Sequence, residues 1–358
     1  MSKQLKDRAI KAIQSIPDAD TRTINNVLAT IYEPIIRTNV EKWCKLKGFP
    51  PKGIIYLTNK IVFSNLSIDE KLEMVDMLGK DQKFLDFGKM YNASMNKTVS
   101  VDRYFKHSKF GKFIMDECKN DNDAQVLGAS ANIGKGEIAF IVAGGLMKPS
   151  QGDLEWNRKV IELKEPSAAI QPHGVNHPSK FMGEMRKFIT DELKKKGLNI
   201  PLPKGNHGPG DTLAELLTIK WSQTKPMGKF DFLDFAKKHK IPLATTKLIV
   251  KKFHQLVLPY TFDPGKYISA SYGFDYKKYG RESFKASYLA YRKESSWNTL
   301  MVYSITKDTV YTIEDGDDAV KLWNACGEVD FSGKDKHGRA GAYGGKLHET
   351  MFKRLTNT

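Results

Sequence analysis

What the chain lacks narrows it first. Of 358 residues only three are cysteines, Cys44, Cys118 and Cys326. They are far apart, odd in number and form no Cys-x-x-Cys pair, which argues against a disulfide framework and for a reducing compartment. Long hydrophobic runs are missing as well. The longest, Ile138 to Met147, is too short to cross a bilayer and is interrupted by Gly144-Gly145. The opening residues, MSKQLKDRAIKAIQSI, carry no apolar leader core, so a cytoplasmic, non-secreted protein without a membrane partner is expected. Internal repeats and low-complexity tracts are absent too.

An acidic balance is also missing. Lys and Arg number 57 against 41 Asp and Glu, giving a net charge of +16 and a pI near 9.4. Such a chain favours an anionic polymer, because each phosphate met by Lys or Arg releases counterions. Charge alone is equally compatible with a basic protein that has no nucleic-acid role.

What is present reads as a mixed α/β (α+β) protein long enough to bury a substantial core. Apolar residues recur at helical spacing over 3–16 and 20–46, and Ser67 with Glu70 forms a capping-box pattern before a helix at 67–79. Residues 1–95 are therefore a helical N-terminal region. It serves either as a DNA-clamping or partner-binding arm or as a layer over a sheet. A basic segment (94–110) and a short helix (111–119) lead into residues 96–170, the first part of a core. Residues 171–280 form a basic helical insertion with helices near 181–196 and 211–222. Between Lys180 and Lys252 sixteen Lys and Arg face seven Asp and Glu, which is +9 of the total. At 230–257 a helix, a turn at Lys240-Ile-Pro-Leu and a second helix resemble a helix-turn-helix. Thr245, Thr246, Lys247, Lys251 and Lys252 would lie at or near the exposed start of its second helix, ready to contact DNA. A plain basic packing helix is the competing reading. A helix at 281–294, strands at 298–305 and 309–315, a helix at 317–325 and a Gly-rich basic tail fill 281–358, the second part of the core.

The chemistry concentrates in GKGEIAFIVAGGLMKPSQGDLEWNRKVIELK, residues 134–164. A two-residue turn at Asn157-Arg158 would place Leu154 opposite Ile161 and Asp153 opposite Glu162. Opposed residues have Cβ atoms roughly 4.5–5.5 Å apart, so the two carboxylates could share one cation. Side chains alternate along a strand, so Lys164 joins Glu162 while Ile161 and Leu163 turn to the core. Unpartnered carboxylates repel, and a hard divalent ion with oxygen ligands resolves this. Lys164 could then orient an attacking water and offset charge developing on a phosphate. Glu137 stands in the first turn of an apolar helix. It either caps that helix or completes the set around an ion.

These residues resemble the PD-(D/E)xK, restriction-endonuclease-like nuclease superfamily, matched here by Glu137, then Gly152-Asp153, then Glu162-Leu163-Lys164. Gly152 stands where that pattern has proline. The resemblance implies an α–β–β–β–α–β core and phosphodiester hydrolysis with Mg²⁺, for which Mn²⁺ would substitute. It also implies metal ligation by Asp153, Glu162 and the carbonyl of Leu163, assistance to water by Lys164, and support from Glu137. Arg158 in the turn would contact DNA. On this reading the chain is a restriction-type or homing-type DNA endonuclease, and cutting both strands would call for a homodimer. The alternatives are a non-catalytic DNA-binding or structural protein of nuclease-like fold, or a junction resolvase, exonuclease or RNA-directed enzyme using the same site.

Other patterns carry less. Gly128 to Lys135 has the wrong glycine spacing for a P-loop and lacks the following Ser or Thr. His173, His177 and His207 sit in Pro- and Gly-rich loops without partner cysteines at zinc spacing. Asp121-Asn-Asp123 lacks the glycine and distal glutamate of a calcium loop.

Overall fold

The computed structural model describes residues 3–15, 21–119, 133–165, 172, 176, 178–205, 211–222, 227–314, 329–331 and 346–347. Two compact units divide the chain. The first comprises 1–95, 99–163 and 303–311; the second comprises 96–98, 164–302 and 312–358. The helix expected at 317–325, the basic tail over 333–345 and His173, His177 and His207 lie outside the described residues.

The first unit opens with helices α1 (Lys3–Gln14), α2 (Thr21–Leu46), α3 (Pro51–Val62), α4 (Ile68–Gly79) and α5 (Phe87–Ala93). Pro50-Pro51 both stops α2 and starts α3, since proline at the first helical position removes an N–H that has no partner anyway. Ser67 and Glu70 close the expected capping box on α4, each bonding the other's backbone N–H. This helical region packs within its unit: the Phe84 and Leu85 N–H groups both reach the Ala143 carbonyl. Phe87 and Tyr91 hold the Trp156 ring, with centroids 5.4 and 4.8 Å away. These contacts tie the last part of the region, residues 84–91, to Ala143 and Trp156.

After the short strand β1 (Val99–Ser100) come α6 (Ser108–Lys119) and α7 (Lys135–Gly144), then strands β2 (Leu154–Trp156) and β3 (Lys159–Lys164). Every residue of α7 from Ile138 to Gly144 is buried, as expected of a helix apolar on all sides. Its Gly136 lies against Leu163 and Tyr303, where an added Cβ would come within 3.1 Å of the leucine. Leu163 thus faces α7, and Ile161 is fully buried on the same side of the alternation. With β6 (Thr299–Ser304) and β7 (Thr309–Ile313), these strands form a sheet of order β1-β7-β6-β3-β2. The late strands thus join the early hairpin's sheet.

The second unit holds α8 (Met182–Lys194), α9 (Thr212–Leu217), β4 (Lys220–Ser222), β5 (Met227–Lys229), α10 (Asp231–Lys238), α11 (Leu243–Val257) and α12 (Tyr276–Ser295). Its core joins Met185, Ile189, Leu213, Phe232, Ile249, Phe253 and Tyr279. The helix expected over 211–222 ends at Leu217 and the chain continues as β4. That strand pairs with β5 and with β8 (Val329–Phe331), which in turn pairs with β9 (Lys346–Leu347). The insertion is therefore not wholly helical. Ladder bonds to the neighbouring β5 and to the distant β8 decide β4, and three residues are too few for periodicity to register.

Candidate active site

The hairpin at 154–164 is built by its turn. Asn157 and Arg158 both have positive φ, 47° and 65°, which a two-residue type I′ connection requires and which matches strand twist. The register is Leu154 to Ile161, Glu155 to Val160 and Trp156 to Lys159. Asp153 stands one step before this ladder. Its N–H reaches the Ile161 carbonyl at 3.0 Å, and its carboxylate Oδ2 accepts the Leu163 N–H at 2.8 Å. A side chain thus replaces the next backbone rung. Gly152 permits this with φ +76°, and a Cβ there would strike Val160 at 2.5 Å.

Glu162 is only 4% exposed although its side chain ends in a carboxyl group. Glu137 is nearly as enclosed, with 14% of its side chain exposed. Its Oε1 accepts the Gly134 N–H at 2.9 Å, so the helix-capping role is real. Burial pushes the Glu137 carboxyl above its usual range. Lys148 and the Gly134 N–H act the other way, and the nearby charge of Glu162 adds to the rise.

Lys148, which sequence reasoning missed, is the cation of this cluster. Its Nζ lies 2.5 Å from Glu137 Oε2, 3.2 Å from the Gly152 carbonyl and 3.8 Å from Asp153 Oδ1. The backbone explains its position. Gly145 ends α7 in the left-handed region, and Met147 then exchanges hydrogen bonds with Glu155 beside β2. The Lys148 N–H donates to the Lys47 carbonyl at 2.9 Å. Gly48 leaves room for this crossing, since a Cβ on it would meet the Lys148 carbonyl at 2.7 Å. The available signal was chemical: two enclosed carboxylates need a cation, and the reversal after Gly144-Gly145 returns the next lysine toward Asp153.

Among the described residues no three His, Cys, Asp or Glu side chains converge closely enough to hold a metal ion. Glu137 spends its oxygens on Gly134 and Lys148, and Asp153 spends one on Leu163. The donors nevertheless fit Mg²⁺ or Mn²⁺ in kind. They are oxygens throughout, as hard cations prefer, and they already surround one positive charge, the Lys148 ammonium. Asp153 and Glu162, with the Leu163 carbonyl, are the groups that would hold such an ion once Lys148 withdrew.

Lys164 ends β3 two residues beyond Glu162 and begins the second unit, where its ammonium sits 5.2 Å over the Tyr291 ring. Arg158 is exposed at the hairpin tip. Around α11 the expectation of exposure fails for two residues. Thr245 and Thr246 are 3% and 0% exposed, and the Thr246 hydroxyl donates to the Pro242 carbonyl at 3.2 Å. They share the inward stripe with Ile249, Val250, Phe253 and Val257, because a threonine methyl packs as an apolar group. Lys247 and Lys252 are half-buried and Lys251 is exposed. Lys251 lies 3.8 Å from Asp263, and Lys252 lies 2.8 Å from Glu184. Comparison with protein-family models, with curated proteins and with solved structures found no match.

Proposed function

We propose that the protein is a Mg²⁺-dependent DNA endonuclease of restriction-endonuclease-like fold that hydrolyses phosphodiester bonds at the Glu137–Asp153–Glu162 cluster. The observation that carries this reading is the pairing of two enclosed carboxylates, Glu137 and Asp153, with one cation, Lys148, beside a third buried carboxylate, Glu162, in a chain of net charge +16. Burying such a cluster is costly unless a positive charge is held there, so it favours a functional site over a surface decoration. Mg²⁺, or Mn²⁺ in its place, would supply Lewis acidity and a nucleophile at neutral pH. Asp153 and Glu162, with the Leu163 carbonyl, would hold the ion. The Asp153 bond to the Leu163 N–H fixes the geometry of that pair. Glu137 anchors the α7 end of the cluster through Gly134. Lys164, on the Glu162 side of β3, orients water toward the scissile phosphate. Lys247, Lys251, Lys252 and Arg158 contribute phosphate contacts. Thr245 and Thr246, being buried, are left out of that set.

Supercoiled plasmid tests this. Wild-type protein with Mg²⁺ should nick or linearise it, and EDTA should stop the reaction. Asp153→Asn and Glu162→Gln should each lower the rate by at least about 100-fold, which corresponds to roughly 2.7 kcal/mol of transition-state stabilisation, while retaining DNA binding in a gel shift. Cutting by either variant at the wild-type rate would refute the site.

A further inference from the structure

A second feature of the first unit lies where α3 ends. Phe63, just past Val62, is the most exposed large hydrophobic side chain among the described residues, with 70% of its surface in water. It borders a cleft of about 230 Å³ lined also by Tyr56, Asn59, Lys60, Asn65 and Glu117. A single exposed aromatic is ordinary on a protein surface. This one is held in an unusual setting. The Arg37 guanidinium sits 5.5 Å from the ring centroid, and its Nη1 donates to the Asn59 amide oxygen at 3.1 Å. Its Nε donates to Glu33 at 2.8 Å, so the cation is fixed from two sides. Lys60 bridges the cleft, 5.7 Å from the Tyr56 ring centroid and 3.6 Å from Glu117 Oε2.

We propose that this cleft binds one unpaired base of a single-stranded nucleic acid, stacked on the Phe63 ring. The volume lies below the roughly 300–1,000 Å³ of cofactor-sized sites, so it suits one planar ring and not a dinucleotide. An aromatic platform beside fixed cations is how single strands are gripped without sequence preference. Asn59, Asn65 and Glu117 line the cleft, and their side chains include both donor and acceptor groups for a base edge. Arg37 and Lys60, paired with Glu33 and Glu117, would exchange those carboxylates for the flanking phosphates. The inference rests on the nucleic-acid part of the proposed function and not on cleavage.

Fluorescence anisotropy in EDTA, which keeps the metal-dependent reaction silent, tests it with a labelled mixed-sequence strand of about 15 nucleotides and the matching blunt duplex. Phe63→Ala should weaken single-strand binding about ten-fold or more, since stacking is worth roughly 1–3 kcal/mol per base. Duplex affinity should stay within about two-fold, and Phe63→Trp should restore the single strand. Because Phe63 is solvent-exposed, its removal should leave folding intact. Unchanged single-strand affinity in Phe63→Ala, equal loss for strand and duplex, or no measurable single-strand binding by the wild type would each overturn the proposal. A protein that shows the Phe63 dependence yet never nicks plasmid would refute cleavage alone; one that nicks but lacks the dependence would refute the cleft alone.

Discussion

At the scale of single residues the chain places ionisable groups where little water reaches them. The carboxylate cluster is one case. His254 on α11 is another: it is fully buried, with Nδ1 3.0 Å from the Val250 carbonyl. Desolvation pulls its pKa down to about 4, against smaller upward influences from the Val250 carbonyl and Asp263. The unfolded chain takes up this proton near pH 6.5 while the folded protein does not until near pH 4. Stability should therefore be intact above pH 6.5 and fall as pH drops from 6.5 to 4, by about 3 kcal/mol from this group alone. Urea unfolding across that window should show wild-type stability falling more steeply than that of His254→Gln. Parallel profiles would contradict the assignment. The residue scale is also where the sequence was least legible. Glu137, Asp153 and Glu162 stand out because acids are rare beside apolar runs. Lys148 does not, because a lysine in a Lys-rich chain looks like any other until the backbone brings it to the carboxylates. Thr245 and Thr246 misled for a related reason: polarity suggests exposure, whereas their methyl groups fill the α11 stripe.

Among elements, legibility followed how local the determinants are. The β2–β3 hairpin was readable because its turn needs two positive-φ residues and its strands alternate, both short-range facts. Helix α3 was not, because the prolines that end α2 conceal the start of the next helix. The two-residue β1 depends on β7, far along the chain, and the three-residue β4 is only in part local, pairing with nearby β5 and with distant β8. The turn itself offers a test. Arg158 adopts φ 65° at a cost that glycine would not incur. Arg158→Gly should raise folding stability by about 0.5–1 kcal/mol, read as a higher urea midpoint. It should also weaken DNA binding slightly by losing one phosphate contact. A lower midpoint would mean that the Arg158 side chain contributes packing or charge that outweighs the backbone term.

For the whole molecule, the net charge of +16 is the feature on which the proposed nucleic-acid partner rests. None of the described helices is long and apolar enough to cross a membrane. If the partner is DNA, binding should be dominated by counterion release. Contact with six to ten phosphates would cost roughly 10³- to 10⁵-fold in affinity between 50 and 200 mM salt. A titration of Kd against salt showing almost no slope would remove the electrostatic basis of the proposal. The mixed α/β class and the completion of the hairpin's sheet by β6 and β7 were both legible. The extra sheet of the second unit was not, because its strands are short and two are supplied from beyond residue 328.

The account turns on whether the carboxylate cluster exchanges its internal ammonium for a divalent ion. Crystals grown with Mn²⁺ and measured for its anomalous signal address this directly. The expected result is a peak ligated by Asp153 and Glu162, with Lys148 withdrawn from Glu137. A cluster with no peak at saturating Mn²⁺, and with Lys148 still bridging Glu137 and Gly152, would contradict it.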